Sequence, residues 1–144
     1  MRTNLVLYSS KDRNWKIIDF GLHEVIEAHR HLSRICDIGL GYRPPEKIST
    51  DLDMNAGDIW NMGCIMFELT TGERPFENDA ETWMYANGKS LDIDGRLLVN
   101  PSWFAEDVSR MISNMLNRDP SKRDLASELL NTLYNIQGNL NKVS

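Results

Sequence analysis

A chain of 144 residues, 41% of them hydrophobic and 26% charged, can bury the core of one globular domain but is too short for two large ones. Its formal net charge of -5 lacks the basic excess of a nucleic-acid-binding surface, which argues against a nucleic-acid partner. No apolar run has the length of a membrane segment or signal peptide, and Cys36 and Cys64 lack metal-ligand spacing, so we expect an intracellular protein, cytoplasmic or nuclear.

Two short runs of β-favouring residues, Leu5–Tyr8 and Trp15–Ile18, flank a polar turn and predict an antiparallel hairpin near the N-terminus. If the strands pair antiparallel with Tyr8 opposite Trp15, the register pairs Val6 with Ile17 and Leu5 with Ile18. Continued by one step, this register places Asn4 opposite Asp19 at the open end of the hairpin. The two polar side chains would then lie close enough to share a cation.

The stretch from Leu22 to Gly41 has no sustained periodicity, and its length predicts a functional loop. The loop contains His23, His29, His31 and Cys36. A zinc site is disfavoured because these residues lack the paired spacing of a zinc finger. Tyr42–Glu46, with its two prolines, closes the loop. Residues 47–57 predict a short helical turn followed by a polar connection.

Apolar residues fall on every side of the helical wheel between Asp58 and Gly72, which predicts a buried helix at the centre of the fold. Asp58 is predicted to be the N-cap of this helix and Gly72 its terminator. We expect the other elements to cover its apolar side chains, which are Ile59, Met62, Ile65, Met66, Phe67 and Leu69.

The C-terminal half predicts further helices. Residues 81–87 fit a short helix, whereas residues 88–99 are ambiguous. A strongly amphipathic helix opens at residues 100–102 and stops at Asp119 and Pro120. Its apolar positions are Phe104, Val108, Met111, Ile112, Met115 and Leu116. A last helix begins near Lys122, with apolar positions at Leu125, Leu129, Leu133 and Ile136. The predicted fold is therefore mainly α, built around a buried central helix, with a small N-terminal β-hairpin.

A set of motifs in a fixed order resembles the protein kinase family: IIDFG, YRPPE, DIWNMGCIMFELTTGERPF and MLNRDPSKR. The sequence around Tyr42 is closer to the serine/threonine branch than to the tyrosine branch. The resemblance implies that residues 1–137 are part of a kinase domain, namely its C-terminal lobe from the metal-binding hairpin to the last helix, and that residues 138–144 are a polar tail. The complete protein would then transfer the γ-phosphoryl group of ATP to serine or threonine of a protein substrate.

The resemblance assigns Asp19, the first residue of the Asp-Phe-Gly motif, and Asn4 as the residues that bind Mg²⁺ and, through it, ATP. Their oxygen atoms suit this metal, because Mg²⁺ is a hard cation that prefers oxygen ligands. The hairpin register had placed Asn4 opposite Asp19 before the family was considered. An independent argument thus leads to the same pair of residues.

Further roles follow from the resemblance. The residues assigned to the activation segment are Phe20, Gly21, Ser33, Tyr42, Pro45 and Glu46. Ser33 is the candidate phosphorylation site within it, since it is the only hydroxyl residue between Leu22 and Gly41. The residues assigned structural roles are Asp58, Trp60, Gly63 and Arg123. Glu46 would pair with Arg123 beneath the segment, and Asp58 would steady the catalytic loop.

The chain also departs from the family pattern. The Gly-rich loop, the ATP-binding Lys and the catalytic-loop Asp would all precede Asn4, so no general base is present and we expect this chain alone to be inactive without an N-terminal lobe. Ile38 and Gly39 replace the Gly-Thr of serine/threonine kinases, which weakens the expectation of hydroxyl-substrate recognition.

Two alternatives stay open. One is a non-catalytic, kinase-derived interaction module that docks partners through the helix surfaces around Trp83, Tyr85 and Trp103. The other is an unrelated helical interaction domain, which would require the ordered motifs to be a coincidence.

Overall fold

The computed structural model describes residues 6–17, 41–49, 56–97 and 105–143. These residues form one hairpin followed by helices, so the mainly α prediction is confirmed. The elements are β1 (Val6–Ser9), β2 (Asn14–Ile17), α1 (Pro45–Ser49), α2 (Ala56–Thr71), α3 (Asp79–Ala86), α4 (Ile93–Leu97), α5 (Ala105–Met115), a 3₁₀ turn (Pro120–Lys122) and α6 (Ala126–Val143). None of the described helices combines the length and the apolar character needed to cross a bilayer.

The β1–β2 hairpin has the register that the sequence predicts. The strands are antiparallel, with Tyr8 opposite Trp15 and Val6 opposite Ile17. The rings of Tyr8 and Trp15 lie 5.2 Å apart across the strands, and Arg13 takes a positive φ of 51° in the turn. The next predicted pairs, Leu5 with Ile18 and Asn4 with Asp19, lie outside the described residues.

Helix α2 is the centre of the core. Trp60, Cys64 and Phe67 are completely buried, and Gly72, at a φ of +78°, directly follows the last residue of the helix as predicted. The prediction that Asp58 is the N-cap is wrong, because the helix begins at Ala56 and Asp58 lies in its first turn. A carboxylate in the first turn still faces the positive end of the helix dipole.

The expectation that every apolar residue of α2 is buried is also wrong. Met62 is 37% exposed and Leu69 is 59% exposed. The described helices pack on the sides of α2 that carry Trp60, Phe67 and Ile65, where one cluster of buried residues forms the main core. Met62 and Leu69 project from a side that these elements leave uncovered.

Helices α2 and α5 approach each other closely at Gly63. A Cβ at this position would lie 2.9 Å from the Cβ of Met115 and 3.1 Å from Leu116. Only a residue without a side chain allows this separation. Gly63 therefore sets how deeply the apolar face of α5 packs against the central helix, with Ile112 of α5 and Leu116 just after it fully buried.

In the last helix Leu129 and Ile136 are buried as the apolar pattern predicts, but Leu133 is 42% exposed, and Leu125, 66% exposed, precedes the helix. The ends of the C-terminal helices also differ from the prediction. Helix α5 ends at Met115, earlier than the predicted stop at Asp119 and Pro120, and α6 begins at Ala126 rather than near Lys122. The chain between them is held in a polar turn in which the Asp119 carboxylate accepts hydrogen bonds from the backbone and hydroxyl of Ser121. A side chain that bonds its own nearby backbone competes with helix formation.

Helix α6 continues to Val143, so residues 138–144, predicted to be a polar tail, are helical up to residue 143. Gly138 does not end the helix because it does not take the left-handed conformation of a C-terminal glycine. The short helix predicted at residues 81–87 is α3, which begins earlier, with Asn78 as its N-cap. The ambiguous stretch after it contains α4.

Candidate functional site

The segment of residues 41–49 is held against the helical core from its first residue. Gly41 has a φ of +84°, and a Cβ there would lie 2.2 Å from the carbonyl oxygen of Phe76. Its backbone N–H donates to the Asp79 carboxylate at 3.4 Å. The thiol of Cys64 in α2 donates to the Gly41 carbonyl at 3.9 Å. Both the conformation and the space at this position therefore require glycine.

The next residue, Tyr42, anchors the segment to α2. Its ring is buried in the main core, and its hydroxyl donates a hydrogen bond to the carboxylate of Glu68. Glu68 is the one carboxylate that α2 carries beyond its first turn. A charged residue in a mainly apolar helix indicates that it has a specific polar partner. Sequence reasoning did not use this signal.

Arg43, in contrast, faces solvent. Its guanidinium lies 3.1 Å from the Asp79 carboxylate, and its side chain is 53% exposed. Asp79 therefore contacts two successive residues of the segment, through the Gly41 N–H and the Arg43 side chain. Asp79 lies at the start of α3, and no local sequence pattern distinguishes it as a site residue.

Glu46 and Arg123 form a buried ion pair beneath the segment. Two guanidinium nitrogens of Arg123 donate to the two carboxylate oxygens of Glu46, at 2.7 Å and 2.9 Å. The side chain of Arg123 is completely buried and that of Glu46 is 10% exposed. The residues are 77 positions apart, so the pair joins α1 to the turn that precedes α6.

Two of the three remaining N–H groups of Arg123 also donate hydrogen bonds, both to backbone carbonyls. Its Nε donates to the carbonyl of Asn117 at 2.9 Å, and one terminal nitrogen also donates to the carbonyl of Ala56 at 2.8 Å. The guanidinium carbon lies 4.9 Å from the centroid of the Trp60 ring. The planar fork of arginine allows this set of contacts, which the point charge of a lysine could not make.

Trp60 lies between this ion pair and the core. Its ring stacks on Phe76 at a centroid distance of 5.3 Å and an interplanar angle of 7°. Its indole Nε1 is buried and has no hydrogen-bond partner within the described part of the chain. The ring thus packs against both an aromatic side chain and a guanidinium cation.

Tyr85 extends the aromatic cluster toward α5. Its hydroxyl donates to the Leu116 carbonyl at 3.2 Å, and the Arg118 guanidinium lies 4.4 Å from its ring centroid. Burial raises the pKa of Tyr85, and burial likewise raises the pKa of the Cys64 thiol far above its usual value. Neither group is therefore suited to proton transfer near neutral pH.

The structure brings some of the predicted site residues together, whereas others have no partner among the described residues or lie outside them. Tyr42, Pro45 and Glu46 lie in one segment, docked on the helix that carries Trp60 and Gly63. Asp58 is exposed and makes no hydrogen bond or ion pair to any other residue in the described ranges. Five predicted site residues lie outside the described residues: Asn4, Asp19, Phe20, Gly21 and Ser33.

Comparison with known proteins shows to which family this chain belongs. A family model described as "Protein kinase domain" matches residues 2–135. The chain is 33% identical over 129 residues to the SNF-related serine/threonine-protein kinase of Homo sapiens, and the match covers 88% of this chain and 16% of that protein. It is 35% identical over 131 residues to calcium-dependent protein kinase 31 of Arabidopsis thaliana, covering 86% and 25%.

The chain is also 29% identical over 124 residues to the probable serine/threonine-protein kinase nek2 of Dictyostelium discoideum, covering 86% of this chain and 28% of that protein. It spans less than a third of the length of each of these relatives. The family model, in contrast, extends over nearly the whole chain, from the hairpin to α6. The chain therefore belongs to the protein kinase family.

Proposed function

We propose that this chain is the C-terminal-lobe portion of a serine/threonine protein kinase, whose complete form transfers the γ-phosphoryl group of ATP to serine or threonine of a protein substrate. The observation that carries the proposal is the docking of residues 41–49 on the helical core. Tyr42 is bonded to Glu68, and Glu46 is bonded to Arg123. Such a segment, held rigidly at its C-terminal end, can present a loop to a peptide substrate in a fixed orientation.

The proposal assigns Mg²⁺ binding to Asn4 and Asp19. The observed register pairs Val6 with Ile17, and its continuation by two residues on each strand would pair Asn4 with Asp19. An amide oxygen and a carboxylate side by side would fit a hard cation that also holds phosphate oxygens. The metal, when bound, would neutralise charge on the phosphates of ATP, while the hairpin would keep the two side chains adjacent.

We further propose that these 144 residues do not catalyse the transfer by themselves. Phosphoryl transfer depends almost entirely on positioning and on electrostatic stabilisation. The family places the Gly-rich loop, the ATP-binding Lys and the catalytic Asp on the N-terminal side of the residue that corresponds to Asn4. The relatives, which are several times longer than this chain, leave room for these parts.

A chimeric kinase tests the proposal. Residues 2–135 would replace the matching segment of the human SNF-related kinase, whose own N-terminal part would supply the remaining elements. We expect this chimera to transfer radiolabelled phosphate from ATP to serine and threonine peptides. A chimera that is folded, as shown by cooperative urea unfolding, but transfers no phosphate would contradict the proposal.

A second candidate is a non-catalytic interaction module derived from the kinase fold. It is favoured by Trp83, an aromatic residue of α3 that is 50% exposed, since exposed aromatic side chains frequently anchor protein interfaces. The folded but inactive chimera described above is the outcome that this candidate predicts. Calorimetric titration of the isolated chain with Mg²⁺ and ATP measures nucleotide binding directly. Saturable binding would show that the chain retains a nucleotide site.

A further inference from the structure

Asp79, the first residue of α3, contacts the 41–49 segment at two points. One carboxylate oxygen accepts a hydrogen bond from the Gly41 N–H at 3.4 Å, and the other lies 3.1 Å from the Arg43 guanidinium. Tyr42, between these two residues, is buried in the main core. Helices α1 and α3 also pack against each other. Asp79 therefore holds both the backbone and a side chain of the segment, within a larger contact between two helices.

Asp79 is itself held firmly in place. The side chain of Asn78, the N-cap of α3, accepts a hydrogen bond from the Glu81 N–H at 3.0 Å, and the Glu81 carboxylate accepts one from the Glu77 N–H at 2.9 Å. Reciprocal bonds of this kind fix the first turn of a helix. The ring of Phe76, just before this turn, is fully buried. The carboxylate of Asp79 is thus carried by a rigid helix start.

Gly41 is the residue at which the predicted loop of residues 22–41 joins the docked segment. Its backbone lies between the carbonyl of Phe76, 2.2 Å from where a Cβ would be, and the carboxylate of Asp79. The two groups together set the direction of the chain at the base of the loop. The carbonyl excludes a side chain there, and the carboxylate orients the N–H.

The contacts of Asp79 differ from the buried anchors of the segment at Tyr42 and Glu46. The side chains of Arg43 and Asp79 are 53% and 21% exposed. An ion pair this exposed contributes little to stability, because water already solvates both charges well. Loss of Asp79 should therefore change the orientation at the base of the loop while the buried anchors keep the segment on the core.

We propose that Asp79 is a positioning residue for the protein substrate, which sets the affinity for the peptide and not for ATP. This inference rests on the proposed function. There the nucleotide belongs to Asn4, Asp19 and the N-terminal parts of the complete kinase, whereas the 41–49 segment presents the substrate loop. Loss of Asp79 should accordingly raise KM for the peptide and leave KM for ATP unchanged.

The chimera described above tests this role, since residues 2–135 contain both Asp79 and the segment. Asp79→Ala should lower kcat/KM for a serine peptide by about ten- to a hundredfold, through KM, because a small misplacement of a substrate-positioning element can cost this much. Asp79→Asn, which keeps an oxygen acceptor for the Gly41 N–H but loses the charge that pairs with Arg43, should have an intermediate effect. KM for ATP should stay at the wild-type value in both variants.

The matched control is Asp107→Ala. Asp107 is also a carboxylate in the first turn of a helix, and it lies 3.6 Å from an arginine, Arg110 of its own helix α5. Its loss should change neither KM. A residue with a structural role alone would reduce the amount of folded enzyme and hence the apparent kcat, without changing KM for either substrate.

Amide hydrogen exchange of the 144-residue chain tests the contact itself without any activity. In the Asp79→Ala chain the Gly41 N–H should exchange at least about fivefold faster than in wild type, because its acceptor is lost. Amides in the middle of α2, such as that of Phe67, should exchange at the wild-type rate. The Asp107→Ala chain should match wild type at both places.

The outcomes separate this inference from the function on which it rests. An active chimera whose peptide KM is unchanged in both Asp79 variants would overturn the inference and leave the proposed function standing. Unchanged exchange at Gly41, or exchange that accelerates equally at Gly41 and Phe67, would also overturn it. A folded wild-type chimera that transfers no phosphate would overturn both.

Discussion

The carboxylate of Glu46 and the guanidinium of Arg123 meet in a two-point ion pair, with hydrogen bonds of 2.7 Å and 2.9 Å, across 77 positions of sequence. The pair lies against the ring of Trp60, which is part of the main hydrophobic core. It therefore links the end of the 41–49 segment, the central helix and the turn before α6.

Removal of Arg123 should destabilise the chain strongly. Arg123→Ala leaves the Glu46 carboxylate buried without its cation, and we expect the free energy of unfolding to fall by about 3 to 5 kcal/mol. Urea denaturation followed by tryptophan fluorescence measures this change. The control is Lys122→Ala, which removes an exposed ammonium 3.8 Å from Asp119 and should change the free energy by no more than about 0.5 kcal/mol.

The pairing itself is tested by a double-mutant cycle. Because Glu46→Ala and Arg123→Ala each strand the other partner, the double variant should lose less stability than the sum of the single losses, by about 1 to 3 kcal/mol. If the loss of stability in the double variant equals the sum of the two single losses, the two side chains stabilise the fold separately. That result would contradict the ion pair between Glu46 and Arg123.

The same substitution should have opposite effects at two helical glycines. At Gly63 a new Cβ would press on Met115 at 2.9 Å, so Gly63→Ala should destabilise the chain by about 1 to 3 kcal/mol. At Gly138 a Cβ meets nothing within 4 Å, so Gly138→Ala should stabilise it by about 0.5 to 1 kcal/mol. Thermal unfolding followed by circular dichroism compares the two. A stabilised Gly63→Ala variant would contradict the close approach of α2 and α5.

Gly41→Ala should release the 41–49 segment. The substitution combines a φ of +84° with a contact of 2.2 Å to the Phe76 carbonyl, whereas Gly72, at +78°, has open space around it. Gly72→Ala carries only the conformational cost of about 1 to 2 kcal/mol. We expect Gly41→Ala to cost more than this and to increase cleavage of the segment in limited proteolysis. Equal effects at the two glycines would show that the segment does not lie against Phe76.

The turn before α6 should depend on pH. Hydrogen bonds from Ser121 lower the pKa of the exposed Asp119 carboxyl below its ordinary value of 3.8. A carboxyl whose pKa is lowered by folding stabilises the folded state above its unfolded pKa and loses this effect as the pH falls through the folded pKa. The difference in urea midpoint between wild type and Asp119→Asn should therefore be largest at pH 6 and become smaller below pH 3.8. A difference that is constant over this range would contradict the assignment.

Local patterns predicted much of the fold. The pairing of Val6 with Ile17 followed once Tyr8 was placed opposite Trp15, and the burial of Trp60 and Phe67 followed from the apolar wheel of α2. Helix ends were less predictable. Helix α2 begins at Ala56 rather than at an Asp58 cap, and a Cβ at its Gly57 would lie 3.4 Å from the ring of Pro44, a tertiary proximity that no local signal shows.

The candidate site depended on a different kind of information. No periodicity could pair Glu46 with Arg123 or Tyr42 with Glu68, because the partners are 77 and 26 positions apart. The first pair followed from family resemblance, and the second was not predicted. The exposure of Leu69 was also missed, since the wheel shows which residues are apolar but not which elements are present to cover them.

We propose that the hairpin of this kinase lobe holds Asn4 and Asp19 together for Mg²⁺. The most direct measurement is the phosphoryl-transfer rate of the chimera with Asp19→Asn, compared with Asp12→Asn, which changes an exposed carboxylate in the same hairpin. Loss of a metal ligand should remove several kcal/mol of transition-state stabilisation, so Asp19→Asn should lower kcat at least about a hundredfold while Asp12→Asn leaves it unchanged. An active chimera in which both variants keep the full rate would contradict the account.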